Sequence, residues 1–170
     1  MSNRSTTPSA EAAATPPNQG GELFEARTTD ETFELGRKLS KNLQPGDLVL
    51  LYGGLGAGKT LFTKGVMAGL GYDVDEVTSP SFSLVNLYKT KDLDVYHIDL
   101  WRIDGGQNAS EAVGLDEILE EANTVVLIEW ADRLGTLAFP NRTIRIKLEG
   151  DGDDPRKITV SMPEDSREKI

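Results

Sequence analysis

Residues 48–60 read Leu48-Val49-Leu50-Leu51-Tyr52-Gly53-Gly54-Leu55-Gly56-Ala57-Gly58-Lys59-Thr60. The unbroken apolar run at its start is the pattern of a strand buried on both faces. The segment from Gly53 to Thr60 fits G-x-x-x-x-G-K-[ST], the pattern of a phosphate-binding loop. Beyond it, apolar Leu61, Phe62, Val66, Met67 and Leu70 recur at helical spacing, and Gly71 supplies a stop. The spacing therefore predicts strand, glycine loop and helix over residues 48–70, the order in which such a loop works.

Each fixed position of the loop has a mechanical task. Glycines let the backbone wrap a phosphate with its N–H groups turned inward. Lys59 is placed to reach β- and γ-phosphates, and the Thr60 hydroxyl to ligate Mg²⁺. The helix beginning there offers its positive end to an anion. The candidate nucleotide-binding residues are Gly54, Leu55, Gly56, Ala57, Gly58, Lys59, Thr60 and Leu61.

Outward from this segment the chain reads as one α/β domain, residues 22–163, between a disordered N-terminal tail, residues 1–21, and a frayed end, residues 164–170. The tail is Ser, Thr, Pro, Ala and Gly with almost no large apolar side chain. Thr28 with Glu31 has capping-box spacing, and a helix is predicted through Phe33, Leu35, Leu39 and Leu43 as far as Pro45-Gly46. Residues 82–88 and 95–100 read as strands joined by a short polar link, hence a hairpin. Residues 111–122 have a helical pattern, and Val125-Val126-Leu127-Ile128 is a second buried-type strand. Alternating Ile144, Ile146, Leu148 and Ile158, Val160, Met162 flank Gly150-Asp151-Gly152-Asp153-Asp154, a half-exposed terminal β-hairpin. The expected architecture is a three-layer fold of the phosphate-loop NTPase type, with a mixed sheet that is parallel at its centre.

Composition narrows the function classes. The chain of 170 residues is 38% hydrophobic, has no cysteine and carries a formal net charge of −10. Disulfides and thiolate metal sites are excluded, and no apolar run approaches the ~20 residues of a membrane-spanning helix. An N-terminus without a hydrophobic stretch argues against a signal peptide, so the expected location is cytoplasmic. The acidic balance argues against extended direct contact with nucleic-acid phosphates, while leaving room for work on nucleic acid through a basic partner.

A phosphate loop needs an acid for Mg²⁺ or for the attacking water, at the end of a nearby buried strand. Glu129 ends one such run and Asp99 ends the more amphipathic Val95-Tyr96-His97-Ile98; a solvated strand-end carboxylate is the plain alternative for each. His97, the single histidine, reads as structural rather than catalytic, since it alternates out of a strand. Ser79-Pro80-Ser81 reads either as an ordinary turn or as a switch-like loop whose hydroxyls sense phosphate or Mg²⁺. Arg102 reads as a surface partner of a carboxylate such as Asp104 rather than as a phosphate ligand. No guanine-reading N-K-x-D segment is present, and no arginine-rich lid of a small-molecule kinase.

Four blocks in this order resemble the TsaE family, small ATPases of bacterial tRNA threonylcarbamoyladenosine synthesis. They are Leu55-Gly56-Ala57-Gly58-Lys59-Thr60, Ser79-Pro80-Ser81-Phe82-Ser83-Leu84, Tyr96-His97-Ile98-Asp99-Leu100-Trp101-Arg102 and Leu127-Ile128-Glu129-Trp130. The first block is common to many proteins; the other three, at this spacing, are specific. The likeness runs from about Thr28 to Val160. It implies ATP or ADP with Mg²⁺ as ligands, Thr60 and Glu129 as metal-site residues, and Lys59, Asp99 and Glu129 as the catalytic set. It places Ser79 and Ser81 on a switch-like loop and brings the segment around Thr29 towards the base. It implies TsaB and TsaD homologues as partners, tRNA reached only through them, and ATP turnover that supports their repeated cycles without transferring the threonylcarbamoyl group. Trp130 matches the family tryptophan, with partner contact and packing both open. Departures are Ser81 for a frequent Thr, Trp101 for a commoner Tyr, Gly54 for a frequent acid and Leu61 for a frequent Thr; none removes a group the chemistry requires. Two other readings stand beside this one: a phosphotransferase acting on a metabolite, and a nucleotide-gated adaptor with little hydrolysis.

Overall fold

The computed structural model describes residues 21–105, 107–152 and 155–163. Of the tails assigned to residues 1–21 and 164–170, all but Gly21 lies outside them. One seven-stranded sheet has the order β1-β7-β6-β2-β5-β4-β3. Its strands are β1 (Glu22–Ala26), β2 (Leu48–Tyr52), β3 (Val85–Lys89), β4 (Asp94–Asp99), β5 (Thr124–Glu129), β6 (Thr143–Glu149) and β7 (Arg156–Ser161). Strands β6, β2, β5 and β4 run parallel at the centre, and β1, β7 and β3 are antiparallel additions at the two sides.

Every residue of β2 and β5 is buried, because both strands carry helices on both faces. The strand period of two divides their side chains between two cores. Val49, Leu51, Val125 and Leu127 pack with Leu35, Leu39, Phe62 and Val66 from α1 (Thr29–Leu39) and α2 (Lys59–Gly69). Leu48, Leu50, Val126 and Ile128 pack with Val113, Leu115 and Ile118 from α3 (Gln107–Val113) and α4 (Leu115–Leu119). This is the three-layer arrangement expected from the sequence. Among the described residues, no helix is long and apolar enough to cross a membrane.

Several local boundaries differ from expectation, each for a visible reason. Thr28 caps α1 by accepting the Glu31 N–H at 3.1 Å, but the Glu31 carboxylate returns to the Arg27 N–H rather than to Thr28 itself. The helix predicted to reach Leu43 ends in a short 3₁₀ turn at Ser40–Asn42. The predicted strand at 82–88 starts only at Val85, because the Leu84 N–H closes a turn onto the Pro80 carbonyl with Leu84 at φ 66°. The helix predicted over 111–122 is instead two short helices, broken where Gly114 adopts φ 62°. The terminal hairpin is present as β6 and β7, yet it does not end the sheet: β1, which sequence reading missed, covers its outer edge.

Candidate functional site

The carboxyl ends of β2, β5 and β4 lie side by side, and the residues after β2 form the glycine loop. Asp99 and Glu129 are direct register partners at the last rungs of β4 and β5, and Leu51 is opposite Glu129 on β2. Strand parity turns Val95, His97 and Asp99 to the same face as Val125, Leu127 and Glu129, the face that α2 covers. Thus α2, starting at Lys59 directly after the loop, sets Thr60 against the end of β5.

The contacts that result are short. The Thr60 hydroxyl donates to Glu129 Oε2 at 3.0 Å. The other carboxylate oxygen, Oε1, lies 2.8 Å from His97 Nε2. His97 is completely buried, and its Nδ1 has no partner among the described residues. A proton on Nε2 suits both facts: the ring donates to Glu129 and leaves only a lone pair, not a stranded N–H, at Nδ1. Asp99 accepts the Ser79 hydroxyl at 2.6 Å on Oδ2 and the Trp101 N–H at 2.9 Å on Oδ1. Both acids are almost wholly removed from solvent. Each retains lone pairs beyond those already engaged, since an ionised carboxylate has about four acceptor sites.

Lys59 is 4% exposed, and its ammonium donates to the Gly53 and Gly54 carbonyls at 2.8 and 2.7 Å. It also sits 3.7 Å from the centre of the Trp130 ring, a cation–π contact. Burial pulls its pKa below the usual lysine value, against the opposing pull of Glu129, Asp99 and Asp132. Trp130 adopts φ 60° and stacks obliquely on Trp101, ring centres 4.6 Å apart.

These groups line a cleft of ≈ 430 Å³ that takes in Leu55, Gly56, Gly58, Lys59, Thr60 and Leu61 together with Ser79, Ser81, Asp99, Trp101, Glu129 and Trp130. Gly54 is exposed and does not line the cleft, and Ala57 turns its methyl into the core. Thr29 does not line the cleft. The first turn of α1 nevertheless borders the loop: a Cβ placed on Gly58 would lie 3.5 Å from the Thr32 methyl. Arg102 lies with its guanidinium carbon 4.2 Å from the centre of the exposed Phe82 ring, and among the described residues it forms no ion pair with Asp104. The partnership of His97 with Glu129 was missed by sequence reading. Its signal is parity: His97 pairs with Leu127 in register, so Glu129 is its diagonal neighbour on the same face.

The donor set suits a hard cation only in company. Among the described residues, no group of three or more His, Cys, Asp or Glu is placed to hold a metal. One hydroxyl and one carboxylate, touching at 3.0 Å, offer oxygen ligands of the kind Mg²⁺ takes when phosphate and water complete its shell. Thr60 and Glu129 therefore fit a Mg²⁺–nucleotide better than a free ion.

Residues 26–158 match the family model described as threonylcarbamoyl adenosine biosynthesis protein TsaE. The chain belongs to the TsaE family. The TsaE protein of Bacillus subtilis is 38% identical over 132 residues, covering 78% of this chain and 80% of that one. That of Streptomyces coelicolor is 38% identical over 133 residues, 75% and 88% of the two chains. That of Treponema pallidum is 35% identical over 136 residues, 80% and 97%. The crystal structure of Bacillus subtilis YdiB superposes with a TM-score of 0.62 at 29% identity, covering 88% of this chain and 92% of that one. Membership of TsaE assigns the chain to tRNA threonylcarbamoyladenosine biosynthesis.

Proposed function

We propose that this TsaE-family protein binds ATP or ADP with Mg²⁺ and hydrolyses ATP as an accessory subunit of a TsaB–TsaD complex. ATP turnover would support repeated cycles of threonylcarbamoyladenosine formation by those partners, with tRNA engaged through them. The observation that carries this reading is the meeting of Thr60, Glu129 and Asp99 beside a glycine loop at the ends of parallel strands. A Mg²⁺ ion held by Thr60 and, directly or through water, by Glu129 would neutralise charge on the phosphates.

The protein's own groups have distinct tasks. Lys59 exchanges its two carbonyl acceptors for β- and γ-phosphate oxygens, trading neutral for charge-assisted hydrogen bonds. His97 holds Glu129 from behind, so that the carboxylate presents Oε2 towards Thr60. Asp99, fixed by Ser79 and the Trp101 N–H, orients the attacking water and accepts its proton through a remaining lone pair. Because Ser79 bonds directly to Asp99, the Ser79–Ser81 loop is coupled to this acid. The net charge of −10 suits a subunit that leaves tRNA phosphates to others.

The deciding experiment is ATP hydrolysis by the protein alone and with TsaB and TsaD homologues, with and without tRNA. Stimulation by the partners is the expected result. Hydrolysis indifferent to them, but raised by a metabolite that becomes phosphorylated, would establish a phosphotransferase instead. Partner binding that depends on nucleotide, with no hydrolysis, would establish a gated adaptor.

A further inference from the structure

Behind the glycine loop lies a cation that the loop's own sequence does not announce. Arg156 opens β7 and is 6% exposed. Its Nε–H donates to the Ala57 carbonyl at 3.1 Å, and Nη2 donates to the Gly152 carbonyl at 2.9 Å. A loop that turns its N–H groups inward towards a phosphate turns some carbonyls outward, and a buried one needs a donor. Arg156 supplies it for Ala57. The approach is close: a Cβ on Gly58 would lie 3.1 Å from Arg156 Nε, and Gly58 has φ 100°. Glycine at 58 is thus favoured by its left-handed backbone, and the arginine packed against it leaves little room for a side chain.

Among the described residues, the charge of Arg156 has no counterpart. Its acceptors are neutral carbonyls, and among the described residues no carboxylate is within ion-pairing distance of its guanidinium. Asp151, in the same β6–β7 connection, lies over Gly56 instead, 2.8 Å from where a Cβ would stand. Buried charges are ordinarily paired, and an unpaired one costs stability. The anion that would complete this one is the ligand the loop is shaped to hold. We propose that Arg156 is a positioning residue for the nucleotide polyphosphate. It holds the Ala57–Gly58 peptide in its phosphate-receiving conformation and places, behind the loop, a positive charge that the bound polyphosphate balances. The proposal rests on the nucleotide reading above and adds to it a residue from outside all four blocks that mark the family.

The alternative is a neutral staple, in which Arg156 only ties the β6–β7 connection to the loop. Charge separates the two. ADP binding to the full chain, measured by calorimetry across a range of salt concentrations, is compared for wild type, Arg156→Lys and Arg156→Gln. The expected result is that Arg156→Gln weakens ADP binding about tenfold or more and flattens its salt dependence, while Arg156→Lys binds better than Arg156→Gln and keeps the wild-type salt slope. Binding by Arg156→Gln within about twofold of wild type, or equal to Arg156→Lys, overturns the proposal. Thermal unfolding without ligand checks that the variants fold. If the Gln variant does not, Arg156→Met, which keeps most of the aliphatic stem and removes the charge, takes its place in the same comparison with Arg156→Lys. A wild type that fails to bind ADP overturns the nucleotide reading and this proposal with it, whereas variants that bind like a competent wild type overturn this proposal alone.

Discussion

Lys59 illustrates how a residue is prepared for a ligand before meeting it. Two backbone carbonyls and the Trp130 face hold its ammonium at the mouth of the loop. Lys59→Ala removes the only charge in the loop itself, so nucleotide affinity should fall by about 1.5–3 kcal/mol, roughly 10- to 150-fold. Calorimetric titration with ADP checks this, and unchanged affinity would remove Lys59 from the site. Glu129 should behave differently. Glu129→Ala is expected to cut metal-dependent turnover much more than nucleotide affinity, and normal hydrolysis within the complex would show the metal assignment to be wrong. Asp99→Ala should likewise slow turnover and leave ADP binding intact.

Glu129 also depends on His97, which is fully buried beside it. His97→Leu strands a carboxylate oxygen without its donor, at a cost of about 1–3 kcal/mol in stability. Turnover should fall with it while ADP affinity is kept, and His97→Gln, which can still donate, should recover part of both. A leucine variant with wild-type melting temperature and turnover would make the contact incidental. Reading His97 as structural was reasonable from a lone histidine in a strand. What that reading lacked was the neighbour: the two residues are 32 positions apart, and only the pairing of β4 with β5 brings them together.

Among elements, α1 and α2 show the tightest fit. A Cβ on Gly36 would stand 2.2 Å from the Phe62 carbonyl oxygen, and one on Gly65 would stand 2.0 Å from that of Phe33. The two helices therefore meet backbone to backbone, and no alanine fits between them. Gly65→Ala should destabilise the fold by about 1–3 kcal/mol or more, despite alanine's better helix propensity. A denaturant midpoint lowered at unchanged slope is the expected measurement; a raised midpoint would mean that the helices are less closely packed. The same contact keeps α1 against the loop, where the Thr32 methyl borders Gly58. Sequence periodicity made both helices legible, along with β2 and β5. It was misleading at residues 82–84, where Phe82 is exposed and the Leu84 N–H bonds to Pro80 instead of joining the sheet. Hydrophobicity does not distinguish a strand residue from an exposed turn aromatic; hydrogen-bond partners do.

At the scale of the molecule, the site gathers residues from the loop after β2, the start of α2, the ends of β4 and β5, and the segment before β3. A ligand that ties these together binds only the folded state. ADP with Mg²⁺ at about 100 times its dissociation constant should stabilise the protein by about 2.7 kcal/mol, which is about 5–10 °C in melting temperature for a chain of this size. Chelating the metal should reduce the shift, since Thr60 and Glu129 then contact no shared cation. A thermal scan with no shift at saturating nucleotide would speak against the assignment of this cleft.

The sequence by itself determined the strand–loop–helix unit, the two buried central strands and the identity of the strand-end acids. Those signals are local, written in consecutive residues by apolar runs, glycines and periodicity. Only the tertiary structure decided which side chains meet. Strand order set Asp99 opposite Glu129, parity put His97 behind it, and a crossing of the whole chain brought Arg156 to the Ala57 carbonyl, 99 positions away. Backbone pairing and helix packing set those contacts, and no window of neighbouring residues contains them.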